Sequence, residues 1–357
     1  MKKNHLVLLL LFLSVNFQAQ KKTLKCEKAY DAVKLIDKEK YNEAIGILRE
    51  CEQIDPKDYT YPYEIALAYT YNKDYQNAIT ELQKIKNYDN IKADYYQLLG
   101  NNFDYLNKPE LALATYDEGL KKFPNAGRLY LEKGVMYEFD KPIEAIKIYE
   151  KGIEAEPMYP SNYYRAAKVY LKTNDRLSGL MYGEIFMNLE RNTKRTKEMS
   201  ELLYDGYKNS MIFNSKNEQK TDFCPSVIDI DIYKKNNTLP LCSNFALSFL
   251  LAMTNYDKFD YNNFMQMRKD FLKEYLKISL KVKNNPNILI NYFKTMDENK
   301  VFNAYNHYLF QIANKKDFEE WLTKNKDEYD LFENWYTSTE NQLKIDLNNV
   351  YISDQIK

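Results

Sequence analysis

The sequence predicts an all-α protein, an α-solenoid of about five helical hairpins followed by a further, mostly helical C-terminal region. Small residues recur at Ala32, Ala66, Gly100, Gly134 and Ala167, at intervals of 34, 34, 34 and 33. A second series, Ala44, Ala78, Ala112, Ala145 and Gly179, follows twelve residues behind, or eleven in the fourth unit. That period fits two short helices and a turn, stacked as an array. Helix breakers are scarce, with 9 Gly and 10 Pro against 33 Tyr, which favours helix throughout.

Residues 1–20 read as a signal peptide of the general secretory type and lie outside fold reasoning. Lys2 and Lys3 precede an apolar run from Leu6 to Val15, interrupted at Ser14, and Ala19 is the small residue before a cut. The run is short of the roughly 20 apolar residues a bilayer span needs. Cys26 follows Thr23-Leu24-Lys25, and the charged Lys25 does not suit a lipoprotein signal. No later segment is apolar enough for an integral membrane helix, so the expected location is periplasmic or secreted. Removing Lys2 and Lys3 from the 51 basic side chains leaves 49 against 51 acidic ones. Such a balance, with no basic block, gives no electrostatic footprint for nucleic acid.

Within a unit the spacing is mechanical. Tyr96, Leu99, Gly100 and Phe103 share one face of a first helix at i, i+3, i+4 and i+7. Ala112, Tyr116 and Gly119 form the matching face of a second helix, and Pro124 ends it. Gly100 and Ala112 let the helices approach while the aromatics fill the space beside them. The fourth unit repeats this through Tyr130, Gly134, Tyr137, Ala145, Tyr149, Gly152 and Pro157, with a turn at 138–142 one residue shorter.

These units resemble tetratricopeptide repeats, whose pattern runs aromatic, Leu-Gly, Tyr, Ala, aromatic, small residue and Pro. Units three and four match nearly throughout. Unit two matches at Ile65, Ala66, Tyr69, Ala78 and Leu82 but has Asn90 for Pro; unit one keeps Ala32, Leu35, Ala44, Leu48 and Pro56. Unit five fits at Tyr163, Ala167 and Tyr170, while Gly179 and Gly183 leave its second helix poorly specified. The resemblance covers residues 25–192. It implies an inner face built from the first helix of each unit, presenting Tyr63, Leu67 and Tyr71, then Gln97, Asn101 and Tyr105. Leu131, Val135 and Glu138 follow, then Tyr164 and Lys168. Family members that grip a carboxylate use Lys, Arg and Asn there; here Tyr, Leu, Gln and Val prevail, giving an aromatic, mildly polar groove. Tyrosine suits binding because a rigid ring is buried while its hydroxyl still bonds.

Beyond 192 the period is lost, and residues 193–357 form the C-terminal region. Met199, Leu202, Leu203 and Tyr207 recur at helical spacing and predict a helix capping the array. Residues 213–241 read as an irregular loop with at most a small strand at Val227–Ile232. Asn244–Met253 is apolar on nearly every side and predicts a buried helix. Amphipathic segments follow near 260–279, 286–297, 299–314, 316–326 and 328–344.

Chemistry is sparse. Cys26, Cys51, Cys224 and Cys242 are an even set in an exported chain, with three pairings open. Cys26 and Cys51 fall at neighbouring ends of the first hairpin, and Cys224 and Cys242 flank the irregular loop. No zinc spacing occurs, and no metal or other cofactor is expected. With His5 in the signal, His307 is the one remaining histidine, so a Ser-His or Cys-His nucleophile would have to use it. Asp229 and Asp231 lack the pattern of a calcium loop. The expectation is a non-enzymatic scaffold that binds a segment of another protein in the Tyr-lined groove. The alternative is an enzyme or small-ligand receptor with a pocket in the C-terminal region, near Asp229, Asp231 or His307.

Overall fold

The computed structural model describes residues 24–215, 218–225, 239–282 and 287–353. They fall into two compact units that divide between Ile91 and Lys92. The signal segment and the 227–232 run lie outside the described residues.

The first unit holds two hairpins, α1 (Lys28–Asp37) with α2 (Tyr41–Ile54) and α3 (Thr60–Tyr71) with α4 (Tyr75–Lys84). The pairs Ala32/Ala66, Ala44/Ala78 and Leu48/Leu82, each 34 residues apart, are fully buried. Cys26 is joined to Cys51 with Cα atoms 5.3 Å apart, stapling the first hairpin. Glu39 and Lys73 take the left-handed conformation, with φ of 62° each, and Asn107 in the next unit does so at 54°. These residues are 34 apart and turn each first helix into its second.

The second unit continues with α5 (Ala93–Tyr105), α6 (Pro109–Lys122), α7 (Gly127–Glu138), α8 (Pro142–Ala155), α9 (Pro160–Tyr170) and α10 (Arg176–Leu189). Pro109, Pro142 and Pro160 open their helices at the first turn, where the missing N–H costs nothing. Helix α10 is continuous despite Gly179 and Gly183. A Cβ on Gly179 would come within 2.7 Å of Leu171, and one on Gly183 within 2.7 Å of Leu203. The two glycines are therefore contact points, not gaps in the helix.

Helix α11 (Lys194–Ser210) opens with a capping box at Thr193 and Thr196. Ser200 lies 33 residues beyond Ala167 and is buried, so α11 extends the series of first helices. A hairpin of β1 (Met211–Ser215) and β2 (Glu218–Thr221) follows, where the sequence suggested only irregular chain. Cys224 is joined to Cys242, with Cα atoms 6.4 Å apart.

Among the described residues six α-helices follow: α12 (Leu241–Met253), α13 (Tyr261–Ser279), α14 (Ile288–Glu298), α15 (Phe302–Leu309), α16 (Lys315–Lys324) and α17 (Lys326–Thr337). Helix α12 buries Phe245, Phe249 and Met253 but exposes Leu247 and Leu251, so it is covered on one side rather than all round. One hydrophobic core runs from Ala145 in α8 to Tyr351 beyond α17. The final segment is pinned to α9 and α10: Ser353 Oγ donates to the Tyr170 hydroxyl at 2.9 Å, and Ser353 N donates to the Tyr182 hydroxyl at 3.0 Å.

Candidate functional site

In the second unit the first helices α5, α7, α9 and α11 lie side by side and share a polar face. Its construction starts at the small-residue positions. A Cβ on Gly100 would come within 2.2 Å of the Tyr116 ring, and one on Gly134 within 2.2 Å of the Tyr149 ring. Each glycine thus lets a second-helix tyrosine cross the first helix and deliver its hydroxyl to the far side. There Tyr116 donates to Asn101 Oδ1 at 2.6 Å, and Tyr149 donates to Glu138 Oε2 at 2.7 Å.

The rest of the face is a ribbon of linked polar groups. Gln97 Nε2 donates to Glu132 Oε1 at 2.6 Å, joining α5 to α7. Arg165 reaches Glu138 at 3.4 Å, joining α9 to α7. Lys168 pairs with Glu198 at 2.6 Å, and the Tyr164 hydroxyl donates to the same carboxylate, joining α9 to α11. Burial raises the Glu132 carboxyl above its ordinary value, against hydrogen bonds from Gln97 and Asn101 and the charge of Arg165. Hydrogen bonds from Lys168 and Tyr164 hold Glu198 below it.

The groove residues named from the sequence therefore differ in their surroundings. Gln97, Asn101 and Lys168 are tied into the ribbon, Leu131 and Val135 are half-buried beside it, and Glu138 anchors Tyr149. Tyr164 is buried, with its ring 5.0 Å from Phe186. Tyr105 ends α5 with 54% of its surface exposed. In the first unit, Tyr63 and Leu67 are half-buried on α3, Tyr63 packing edge-on to Tyr59, while Tyr71 is 55% exposed.

Sequence reasoning missed Glu132, Arg165 and Glu198, which occupy one repeat position at intervals of 33. It also passed over Phe139, which is 96% exposed and stands 34 residues after Tyr105. The same spacing that revealed the repeats would have found all four.

His307 is buried rather than at the surface. Its ring stacks on Trp321 at 3.8 Å between centroids, and Nδ1 lies 3.0 Å from the Tyr261 hydroxyl. Burial, with the Lys269 charge, pushes its pKa down to about 3. A base so weak is far from the neutral value that general-base catalysis requires. Asp229 and Asp231 lie outside the described residues. A cavity between α10, α11 and α15, lined by Met187, Ser200 and Tyr308 among others, holds about 80 Å³. Among the described residues no group of three or more His, Cys, Asp or Glu could hold a metal ion.

Small residues at the crossing, tyrosines passing over them and a period of 33 or 34 residues decide the architecture of the hairpins. They resemble tetratricopeptide hairpins. No protein-family model matches the chain, and no curated protein is significantly similar to it. Similar solved structures include MamA from residue 41 onward of Desulfovibrio magneticus RS-1, 20% identical over 47% of this chain and 98% of that one, with a TM-score of 0.36. The C-terminal part of a TPR repeat-containing protein from Cytophaga hutchinsonii is 14% identical over 89% of this chain and all of its own, with a TM-score of 0.40. YrrB, a TPR protein with an unusual peptide-binding site, is 17% identical over 48% of this chain and 89% of that one, with a TM-score of 0.34. Likeness at this level carries no activity or partner across.

Proposed function

We propose that this is an exported, non-enzymatic scaffold whose first-helix face binds a segment of a partner protein. The observation that carries the reading is the pair Tyr105 and Phe139, large aromatics 54% and 96% exposed at equivalent positions of neighbouring repeats. Exposed aromatics in register are the usual anchors of a protein interface. Beside them the face is acidic at Asp104, Glu132 and Glu138, which favours a segment carrying a basic residue next to an apolar one. Export is supported by the Lys2-Lys3 start, the Leu6–Val15 run and the two joined cysteine pairs. Among the described residues no helix is long and apolar enough to cross a membrane.

Panning a random dodecapeptide library against the protein tests the site. Enrichment of peptides that pair a basic with an aromatic or aliphatic residue is expected. Their binding should weaken at least about tenfold in Tyr105→Ser/Phe139→Ser, since each lost anchor costs more than 1 kcal/mol. Equal binding by the variant, with its circular dichroism unchanged, would remove this face as the site. The same double variant, together with Tyr71→Ala, then serves for capture of the natural partner from envelope extract.

A further inference from the structure

A cavity lies off the first-helix face. In the second, third and fifth hairpins one inward position of the first helix carries Ile65, Leu99 and Ala166, all buried. The first, with no hairpin before it, has Asp31. In the fourth hairpin the position is Lys133, whose side chain is 25% exposed and pairs with Asp117 at 2.6 Å. A lysine is costly at a site built for an apolar side chain, and a local rule broken inside an otherwise regular array marks a functional position.

This hairpin opens a cavity of about 540 Å³. That is within the usual size of small-molecule sites. Leu120 and Ile148 supply apolar surface, and Tyr130 and Tyr137 supply ring faces. Lys141 and Lys151 join Lys133 at the rim, with Lys141 Nζ lying 5.8 Å from the centre of the Tyr137 ring. Against these three ammonium groups stand the carboxylates of Glu144 and Asp117, so the site keeps a net positive charge.

We infer that this cavity binds a small amphiphilic anion, an aromatic or alicyclic body ending in a carboxylate. The body would lie against the tyrosine rings and Ile148, and the carboxylate would take hydrogen bonds from the lysine rim. The site is independent of the first-helix face, and neither Tyr105 nor Phe139 lines it.

The test uses 1-pyrenebutyrate as probe, its neutral counterpart 1-pyrenebutanol as control, and the intact protein in fluorescence titrations. One molecule of the anion per chain is expected, with the alcohol bound at least about tenfold more weakly. Lys133→Leu restores the residue type of the other hairpins and should keep the fold while weakening the anion at least about tenfold. Lys151→Glu, a rim change that disturbs no packing, should weaken it as well. Equal binding of alcohol and anion, unchanged affinity in Lys133→Leu, or no binding up to the probe's solubility limit would each overturn the inference.

Discussion

Lowering the pH from 7 to 5 should remove the stability that the buried, neutral His307 contributes to the second unit. The imidazole is 2% exposed, stacked on Trp321 and bonded to Tyr261, and its pKa falls from 6.5 to about 3. As pH falls below 6.5 the unfolded chain takes up a proton that the folded chain refuses until about pH 3. The contribution is therefore complete above 6.5 and lost as pH falls, at up to about 1.4 kcal/mol per unit. Between pH 7 and 5 the loss comes to about 2 kcal/mol. Urea unfolding followed by the fluorescence of Trp321 and Trp335, the chain's two tryptophans, reads this unit. With a slope of about 3 kcal/mol/M, the midpoint should drop by roughly 0.7 M. His307→Phe keeps the stack without a titrating group and should lose this component. Glu132 works in the opposite sense, since a raised carboxyl favours the folded state as pH falls, but it is common to both proteins and cancels in the comparison. Parallel midpoint shifts in wild type and His307→Phe would refute the burial argument.

Three further outcomes follow from the packing. Arg268 donates to both oxygens of Glu184, at 2.7 and 2.9 Å, with both residues almost wholly buried. Glu184→Gln or Arg268→Met should each cost about 3–5 kcal/mol in urea unfolding, and Glu184→Met/Arg268→Leu distinctly less than their sum, because only the single variants strand a charge. Gly134→Ala should destabilise by about 1–3 kcal/mol because its Cβ meets the Tyr149 ring, whereas Gly46→Ala, with nothing within 4 Å, should gain about 0.5–1 kcal/mol, both read from thermal midpoints. Cys26→Ser/Cys51→Ser should cost the first unit about 3 kcal/mol, seen as earlier loss of α1 and α2 protection in hydrogen exchange.

The repeats were legible because the crossing point of two helices tolerates only a small residue, so composition there is fixed at every period. Ala32, Ala66, Gly100 and Gly134 announce the array for that reason. The left-handed turn residues were not legible, since Glu39 and Lys73 are chemically unlike the glycine such a turn favours. Nor was the character of the groove. Tyr164 sits at the expected position, but Phe186 and Glu198 draw it into the packing. Beyond α11 the apolar spacing predicted helices, yet only long-range contacts decide their arrangement. The bond between Ser200 and the carbonyl of Leu309 spans 109 residues, and no local pattern encodes such a partner.

The buried ion pair shows how the array and its cap are matched. Counting back by the repeat from Glu184 gives Glu150, Asp117, Gln83 and Arg49, so every second helix has a polar side chain at this position. None of these four is fully buried; Asp117 pairs with Lys133, and Glu150 accepts from Tyr170 and Tyr182. In the last hairpin the same position is covered by the C-terminal helices, and a carboxylate there is tolerable only with a partner. Helix α13 supplies Arg268; Tyr207 and Tyr305 donate to the carboxylate, and Asn306 accepts from the guanidinium. An apolar cap would pack on an apolar α10 in many registers, whereas a buried carboxylate accepts the one that brings the guanidinium to it. The charge inherited from the repeat thus becomes, at the end of the array, the contact that sets how the C-terminal region docks.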